Sequence, residues 1–361
     1  MVFHFKKFDW LLIASVFLLV TIGLLSIYSS SLGKNDFLNF KKQIIFFVIG
    51  AFLMFFFSFF NWRIFRDDPY LILTLYLFCL LLLTGLFFFA PEIRGVKSWY
   101  RIKNFTLDPI ELTRIVLIIL MAKYFSRRHI EMYQKRHILL SGFYFLLPSV
   151  LIFCQPNLGG VLILISLWLG MLIVSGIKMR HFLILIFCFL LLFIFSWFFL
   201  LKDYQKERVI SFVQPQLEPL GASWSQRQAK IAIGSGGVFG QGFAKGSQTK
   251  YGFLPEPQTD FIFSAIAEEF GFVGIGILLL LFSFFFWRII KIALSAQSNF
   301  PRLFATGFAV SVFAQALIHI GMNLGLLPII GIPLPLVSYG GANLIFNLMA
   351  LGILQSFKIY Q

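Results

Sequence analysis

The sequence predicts an all-α polytopic membrane protein with about ten transmembrane helices and one large extracytoplasmic loop between spans seven and eight. Apolar residues (AVILMFWYC) make up 59% of the 361 residues and charged residues only 12%, whereas soluble domains carry about 25% charged residues. A water-soluble core does not require so many apolar side chains, so many of them must face lipid. Long apolar runs such as residues 70–89 also lack the polar–apolar alternation of membrane β-strands.

A transmembrane helix needs about 20 mostly apolar residues, and ten stretches of the sequence meet this requirement. With a cytoplasmic N-terminus, the inner segments carry fourteen Lys and Arg and the short outer loops seven. Because basic residues collect on the cytoplasmic side, we expect both termini in the cytoplasm. The predicted spans lie near 10–28, 43–60, 70–90, 109–125, 138–154, 158–177, 182–200, 260–286, 303–325 and 337–356.

Residues 201–259 form the predicted outer loop, within a single membrane domain that covers residues 1–361. A loop of this length is usually functional or disordered, and its aromatic residues argue against disorder, so we expect it to fold on the outer surface, partly over a cavity. Its glycine-rich run 234–242 is not in the register of a nucleotide-binding loop, which favours close backbone packing or tight turns. The proline- and glycine-rich run 325–341 predicts a non-helical re-entrant or wall element.

The formal net charge of +15 would suggest nucleic-acid binding in a soluble protein. No long basic run with interleaved aromatic residues is present, and basic residues beside membrane spans orient the chain, so we expect no nucleic acid as a partner. Cys79, Cys154 and Cys188 lie in apolar stretches and show neither a disulfide framework nor metal-ligand spacing.

Four of the fifteen acidic residues fall in or at the start of predicted spans: Glu111, Asp260, Glu268 and Glu269. Ionisable groups in hydrocarbon are costly, so they indicate function or a structural ion pair. At a helix start near the outer surface, Asp260 can accept a proton from a hydroxyl of a lipid-anchored substrate, and helix capping is the alternative. Glu111 and Arg114 share a helix face, either as a cavity wall or as a self-satisfied salt bridge.

Seven basic residues are predicted at or beyond the outer boundary of the membrane. Such a group could bind a diphosphate leaving group, because Arg and Lys stabilise charge on phosphoryl oxygens. For most of the Lys residues an ordinary solvated surface is the alternative. The seven are Arg114, Lys97, Arg101, Lys103, Lys202, Lys206 and Arg208.

Four strings, in this order, resemble segments of the SEDS (shape, elongation, division and sporulation) family. The strings are GVKSWYRI followed by DPIELTR (95–114), QPNLGG (155–160), the run 204–274 with its GFLPEPQTDF segment, and GIPLPLVSYGGANL (331–344). The KDYQKERV opening of the long loop is more similar to the rod-shape elongation member, RodA, than to the division member, FtsW.

The resemblance implies a peptidoglycan glycosyltransferase that polymerises lipid II into glycan strands during cell-wall elongation and rod-shape maintenance. It implies a location in the cytoplasmic membrane with the active site on the outer side. The implied partners are lipid II, a class B penicillin-binding protein transpeptidase and other elongation-complex membrane proteins. A divalent cation, Mg²⁺ or Mn²⁺, is the one cofactor considered.

The resemblance also implies roles for individual residues. Asp260 matches the essential loop aspartate, the candidate catalytic base, and Glu111 matches a glutamate of the central cavity. Arg114 stands where the family usually has Lys, and Asn157 stands where Asp is usual, which puts a metal-binding role at that position in doubt. The implied substrate-binding residues are Arg114, Lys97, Trp99, Arg101, Arg208, Gln228 and Ser338.

Two other functions remain open from the sequence. A lipid II flippase or transporter needs polar groups across the whole membrane depth, whereas the clearest candidates here cluster in the outer half. A non-catalytic scaffold of the cell-wall machinery would leave the buried carboxylates without a reason.

Overall fold

The structure, a computed structural model, describes residues 7–91, 98–102, 105–127, 135–214 and 221–360. Within these ranges, eight helices are long and apolar enough to cross a membrane. They are α1 (Trp10–Lys34), α2 (Leu38–Ser58), α4 (Pro69–Phe89), α6 (Lys135–Cys154), α8 (Met179–Phe199), α12 (Ile262–Ser295), α13 (Asn299–Leu324) and α14 (Gly341–Ile359). The chain is therefore a multi-pass, helical membrane protein, as predicted.

The other two of the ten predicted spans are also helices, but one is too short and the other too charged to count among these eight. The predicted span 158–177 is the helix Leu158–Val174 (α7), which has 17 residues. The predicted span 109–125 is Pro109–Ser126 (α5), which has 18 residues but carries Glu111, Arg114 and Lys123. The total of ten membrane spans therefore stays a prediction.

Several helices begin at an acidic or amide side chain that caps the free N–H groups of the first turn. Asp68 accepts from Tyr70 N at 2.8 Å, and Asp108 accepts from Ile110 N at 3.0 Å. A proline follows each of these two aspartates, and its fixed φ suits the first helical position. These caps set where α4 and α5 begin.

Short elements connect the long helices. Helix α3 (Arg63–Asp67) precedes α4, and a small antiparallel hairpin pairs β1 (Tyr100–Ile102) with β2 (Phe105–Leu107). The predicted outer loop contains α9 (Asp203–Val213), α10 (Ala222–Ser235) and α11 (Ser247–Lys250). Its described part is thus folded, while its position outside the membrane stays a prediction.

Burial differs strongly among the helices. More than half of the most apolar stretch of α13 and of α14 is buried, whereas α8 has no buried residue. The first and last described residues lie close together, because Lys7 Nζ donates to Ile359 O at 3.1 Å and Asp9 N donates to Gln355 Oε1 at 2.9 Å. The side of the membrane that this end faces stays a prediction.

Helix α12 is interrupted at Gly271, whose backbone is left-handed (φ 65°, ψ −162°). The glycine-rich segment 237–242 inserts at this break, and its backbone replaces the missing helical hydrogen bonds. This confirms that the glycines serve close backbone packing. The four bonds are Phe272 N to Gly237 O (2.9 Å), Val273 N to Val238 O (3.0 Å), Gln241 N to Glu268 O (2.9 Å) and Gly242 N to Glu269 O (3.0 Å).

Candidate active site

Asp260 lies in the turn that leads into α12, where its side chain is half-buried. The prediction placed it in the first helical turn, but α12 begins at Ile262 and Phe261 is its N-cap residue. Asp260 is therefore held by the turn and not by helical hydrogen bonds. The non-helical segment 325–340 packs beside it, since a Cβ atom on Gly331 would lie 3.6 Å from Asp260 Oδ2.

A cavity of about 470 Å³ opens beside Asp260. The turn, α9, the start of α10 and the segment 325–340 each contribute to its wall. Asp260 and Arg208 both line it, so the structure brings a predicted base and a predicted phosphate-binding cation together. The lining residues are Tyr204, Glu207, Arg208, Gly221, Ser225, Pro255, Glu256, Asp260, Phe261 and Ile329.

Arg208 is fixed in the cavity wall by two contacts. Its Nη1 donates to Ile330 O at 3.3 Å, and its guanidinium carbon lies 5.8 Å from the centre of the Tyr204 ring. The residue is half-buried and lines the cavity. Arginine in such a setting suits a phosphate or carboxylate ligand.

Glu111 and Arg114 do not line this cavity. Their side chains form an ion pair at 2.8 Å, and the arginine side chain is only 2% exposed. Arg114 is therefore buried within the protein, and its place at or beyond the outer membrane boundary stays a prediction. A buried guanidinium needs compensating oxygen atoms, and three surround it: Glu111 Oε2, Gln315 Oε1 at 2.7 Å and Asn347 Oδ1 at 2.9 Å.

The other predicted binding residues are spread over the protein. Trp99 is half-buried, Arg101 lies exposed in β1, and Gln228 is half-buried on α10. None of these three lines the Asp260 cavity. Lys97 and Lys103 lie outside the described residues.

Ser338 is next to the Asp260 turn but is buried beneath it. Its hydroxyl donates to Thr259 O at 2.8 Å and accepts from Leu334 N at 2.8 Å. Both functions of the hydroxyl group are therefore used within the protein, and Ser338 is 5% exposed.

The sequence reasoning missed a row of polar residues on α13. Gln315, His319 and Asn323 are spaced by four, so they share one helix face, and all three are fully buried. Gln315 donates to Pro333 O at 3.0 Å, and His319 Nδ1 bonds to Ile332 O at 2.8 Å. The row therefore holds the segment 325–340 in place. The spacing of these polar residues within an otherwise apolar helix was a usable signal.

Two further buried acidic residues, Glu268 and Glu269, form hydrogen bonds to neighbouring helices. Glu268 is 0% exposed and accepts from Gln248 N at 2.6 Å and from Thr249 N at 3.1 Å. It therefore caps α11. Glu269 accepts a hydrogen bond from the Ser29 hydroxyl, which ties α12 to α1.

Asp108, the cap of α5, has an altered acidity. Its pKa rises to about 7, because burial removes water from the carboxylate and the negative charge of Glu111 is near. The protonated form of Asp108 is therefore favoured in the folded protein.

A divalent cation such as Mg²⁺ needs several oxygen ligands close together. Among the described residues, no group of three or more His, Cys, Asp or Glu side chains could hold a metal ion. Asn157 caps α7 through Gly160 N at 2.9 Å, so its amide oxygen has a structural partner. The donor set does not fit a protein-only metal site, and the Mg²⁺ or Mn²⁺ ion stays a prediction.

Comparison with known proteins identifies the family. Residues 9–361 match the FtsW/RodA/SpoVE family, described as cell cycle proteins. The chain belongs to this family. It is the SEDS family that the sequence strings resemble.

Relatives of this FtsW/RodA/SpoVE chain carry related names. Stage V sporulation protein E of Bacillus subtilis (strain 168) is 34% identical over 98% of this chain and 97% of that protein. The peptidoglycan glycosyltransferase MrdB of Escherichia coli (strain K12) is 36% identical over 80% of this chain and 77% of that protein. These matches confirm the predicted enzyme class, a glycosyltransferase. Because relatives named RodA and relatives named FtsW both match, the elongation subtype stays a prediction.

A solved structure shares the architecture. The matching chain belongs to a solved structure that concerns the structural coordination of polymerization and crosslinking by a peptidoglycan synthase complex. The TM-score is 0.83 at 29% identity, over 98% of this chain and 99% of that chain.

Proposed function

We propose that this protein polymerises lipid II into glycan strands at the outer face of the cytoplasmic membrane, during cell-wall elongation and rod-shape maintenance. The observation that carries the proposal is that Asp260 and Arg208 line one cavity of about 470 Å³. A carboxylate and a guanidinium in one cavity supply the two groups that transfer from a lipid diphosphate requires.

The chemistry assigns one role to each group. The hydroxyl of the acceptor sugar attacks the anomeric carbon of the donor sugar, and the bond from that carbon to the diphosphate oxygen breaks. Asp260 takes the hydroxyl proton as general base. Arg208 stabilises the negative charge that develops on the departing diphosphate. No second carboxylate is needed as an acid, because the diphosphate is already a good leaving group.

Glu111 and Arg114 act at a distance in this proposal. Arg114 connects through Gln315 to Pro333 O, and so to the segment beside Asp260. We assign this buried pair to the support of the cavity wall, with no direct contact to the diphosphate.

The proposed partner is a class B penicillin-binding protein that cross-links the strands, together with other membrane proteins of the elongation complex. The similarity to a chain of a peptidoglycan synthase complex supports this. Both chain termini are proposed to be cytoplasmic.

A flippase is favoured less. Asp260 and the Glu111–Arg114 pair lie at or near the N-terminal ends of α12 and α5, and Asn347 lies in the first half of α14. The polar interior thus concentrates toward one end of the bundle. At the other end, Asp9 is paired with Arg288, which leaves that carboxylate compensated.

The test is lipid II polymerisation by the purified protein with a class B partner that has no polymerase domain. Asp260→Asn is expected to abolish glycan strands while remaining folded. Asp203→Asn on α9, an exposed carboxylate that does not line the cavity, is the matched control and should polymerise normally. Loss of activity in Glu256→Gln with retained activity in Asp260→Asn would move the base to Glu256. Translocation of lipid II without polymerisation would favour the flippase.

A further inference from the structure

Three consecutive backbone carbonyl groups in the Asp260 turn are each held by a donor from elsewhere in the chain. Gln258 O accepts from Tyr339 N at 2.8 Å, and Thr259 O accepts from the Ser338 hydroxyl at 2.8 Å. Asp260 O accepts from Asn323 Nδ2 at 2.9 Å. Two separate elements, α13 and the segment 325–340, therefore fix the backbone of this turn.

Asn323 uses all of its hydrogen-bonding capacity in this position. Its Nδ2 also donates to His319 O at 2.8 Å, and its Oδ1 accepts from Ser264 N at 3.2 Å and from Ser264 Oγ at 2.7 Å. Ser264 is the third residue of α12, where the N–H has no partner within the helix. The N-cap residue, Phe261, provides no side-chain bond. Asn323 thus caps α12 from a neighbouring helix and holds the Asp260 carbonyl with the same amide.

Ser338 performs the corresponding task on the other side of the turn. Its hydroxyl links Thr259 O to Leu334 N, and its own carbonyl accepts from Gln43 Nε2 at 3.2 Å. Ser338 and Asn323 are 5% and 0% exposed, and neither lines the cavity. Their contacts are with backbone groups, so they are not placed to bind a substrate.

We infer that Asn323 and Ser338 are positioning residues that hold the Asp260 carboxylate at the wall of the cavity. The inference rests on the proposed function, in which Asp260 is the base. A general base works only within hydrogen-bond reach of its proton, and a displacement of 1 Å can reduce a rate by about 10²-fold. Three anchored carbonyl groups add restraints from outside the turn to the two bonds that Glu256 O accepts within it.

The first test uses Ser338→Ala, which removes the hydroxyl, and Ser338→Thr, which keeps it. Ser356→Ala is the matched control, since Ser356 is equally buried and bonds only to Ile353 O in its own helix. We expect Ser338→Ala to lower the kcat of lipid II polymerisation at least about tenfold with KM within about twofold. Ser338→Thr should recover most of the rate, and Ser356→Ala should match the wild type.

Hydrogen–deuterium exchange provides a readout that is independent of activity. The amides of Thr259 and Phe261 both bond to Glu256 O at 3.2 Å within the turn. They should exchange faster in Ser338→Ala than in Ser356→Ala, because the turn has lost an anchor. If Ser338→Ala does not fold, Asn323→Asp replaces it, because the aspartate keeps the acceptor for Ser264 and loses the donor to Asp260 O.

The possible outcomes distinguish a failure of the anchoring from a failure of the positioning role or of the proposed function. Unchanged exchange in the turn overturns the anchoring, and faster exchange with unchanged kcat overturns the positioning role. A raised KM at unchanged kcat would make Ser338 a substrate-binding residue. If the wild type makes no glycan strands, the proposed function fails, while the exchange data still decide whether the turn is anchored.

Discussion

Replacing Gly271 with alanine should destabilise the protein through the break in α12. A Cβ atom at this position would lie 2.3 Å from Gly240 N and 2.6 Å from Val238 O. Both atoms belong to the backbone of the inserted glycine-rich segment, so no flexible side chain can move aside. The φ of 65° is also unfavourable for any residue with a Cβ atom.

The size of the effect follows from two contributions. An alanine at φ 65° and ψ −162°, a backbone region almost restricted to glycine, costs about 1–3 kcal/mol. If the clash moves the inserted segment, the four backbone hydrogen bonds across the break are lost, each of which contributes about 0.5–1.5 kcal/mol. We therefore expect a loss of folding free energy of about 3–9 kcal/mol.

The assay is thermal unfolding of the purified protein in detergent, with Gly276→Ala as the control. Gly276 lies in the same helix, and a Cβ atom there would meet no atom within 4 Å. Alanine is favoured over glycine in a helix by about 1 kcal/mol, so Gly276→Ala should be at least as stable as the wild type. Equal unfolding temperatures for the two variants would refute the account of the break.

Two other predictions concern charge inside and beside the bundle. Arg114→Met should destabilise by about 3–5 kcal/mol in the same unfolding assay, because it removes the counter-charge of Glu111, whose side chain is only 12% exposed. Arg66→Met breaks the exposed pair with Asp67 and the contact over the Trp62 ring and should cost at most about 2 kcal/mol; similar costs for the two would contradict this reasoning. The contribution of Asp108 to stability should fall as the pH rises from about 4 to 7, since folded Asp108 keeps its proton up to a pKa of about 7 whereas the unfolded carboxyl loses it near 3.8, so that the native state binds more protons. Asp108→Asn retains a capping side chain and should lack this slope; an identical pH dependence in both proteins would argue against the raised pKa.

The membrane helices were predictable because hydrophobicity leaves a long, continuous signal. Eight of the ten predicted stretches are helices that can span a membrane, and the exceptions have clear causes. Helix α5 carries three charges and α7 has 17 residues. The end of α12 was predicted too early, at 286, because Arg288 and Lys291 interrupt the apolar run, whereas the helix continues to Ser295.

The sequence predicted candidate residues whose side-chain type suits a chemical role. It did not predict how these residues are arranged in space. Asp260 and Arg208 share a cavity, but nothing in the sequence shows that α9 lies against the turn of α12. The full burial of Arg114 was not predicted, because the sequence alone does not show which side chains surround it. Its burial depends on Gln315 and Asn347, which come from helices distant in sequence.

The hydrogen bonds and the accessibility of each acidic residue indicate which carboxylate is suited to proton transfer. A base must leave an oxygen accessible to the substrate hydroxyl, and Glu268 does not, because both of its oxygens accept hydrogen bonds from α11. Glu111 is neutralised by Arg114 and bonded to Asn343 Nδ2 at 2.7 Å, so its charge is already committed. Asp260 combines a half-buried carboxylate at a cavity wall with a backbone anchored from two elements. That combination of access and rigidity is what general-base catalysis requires.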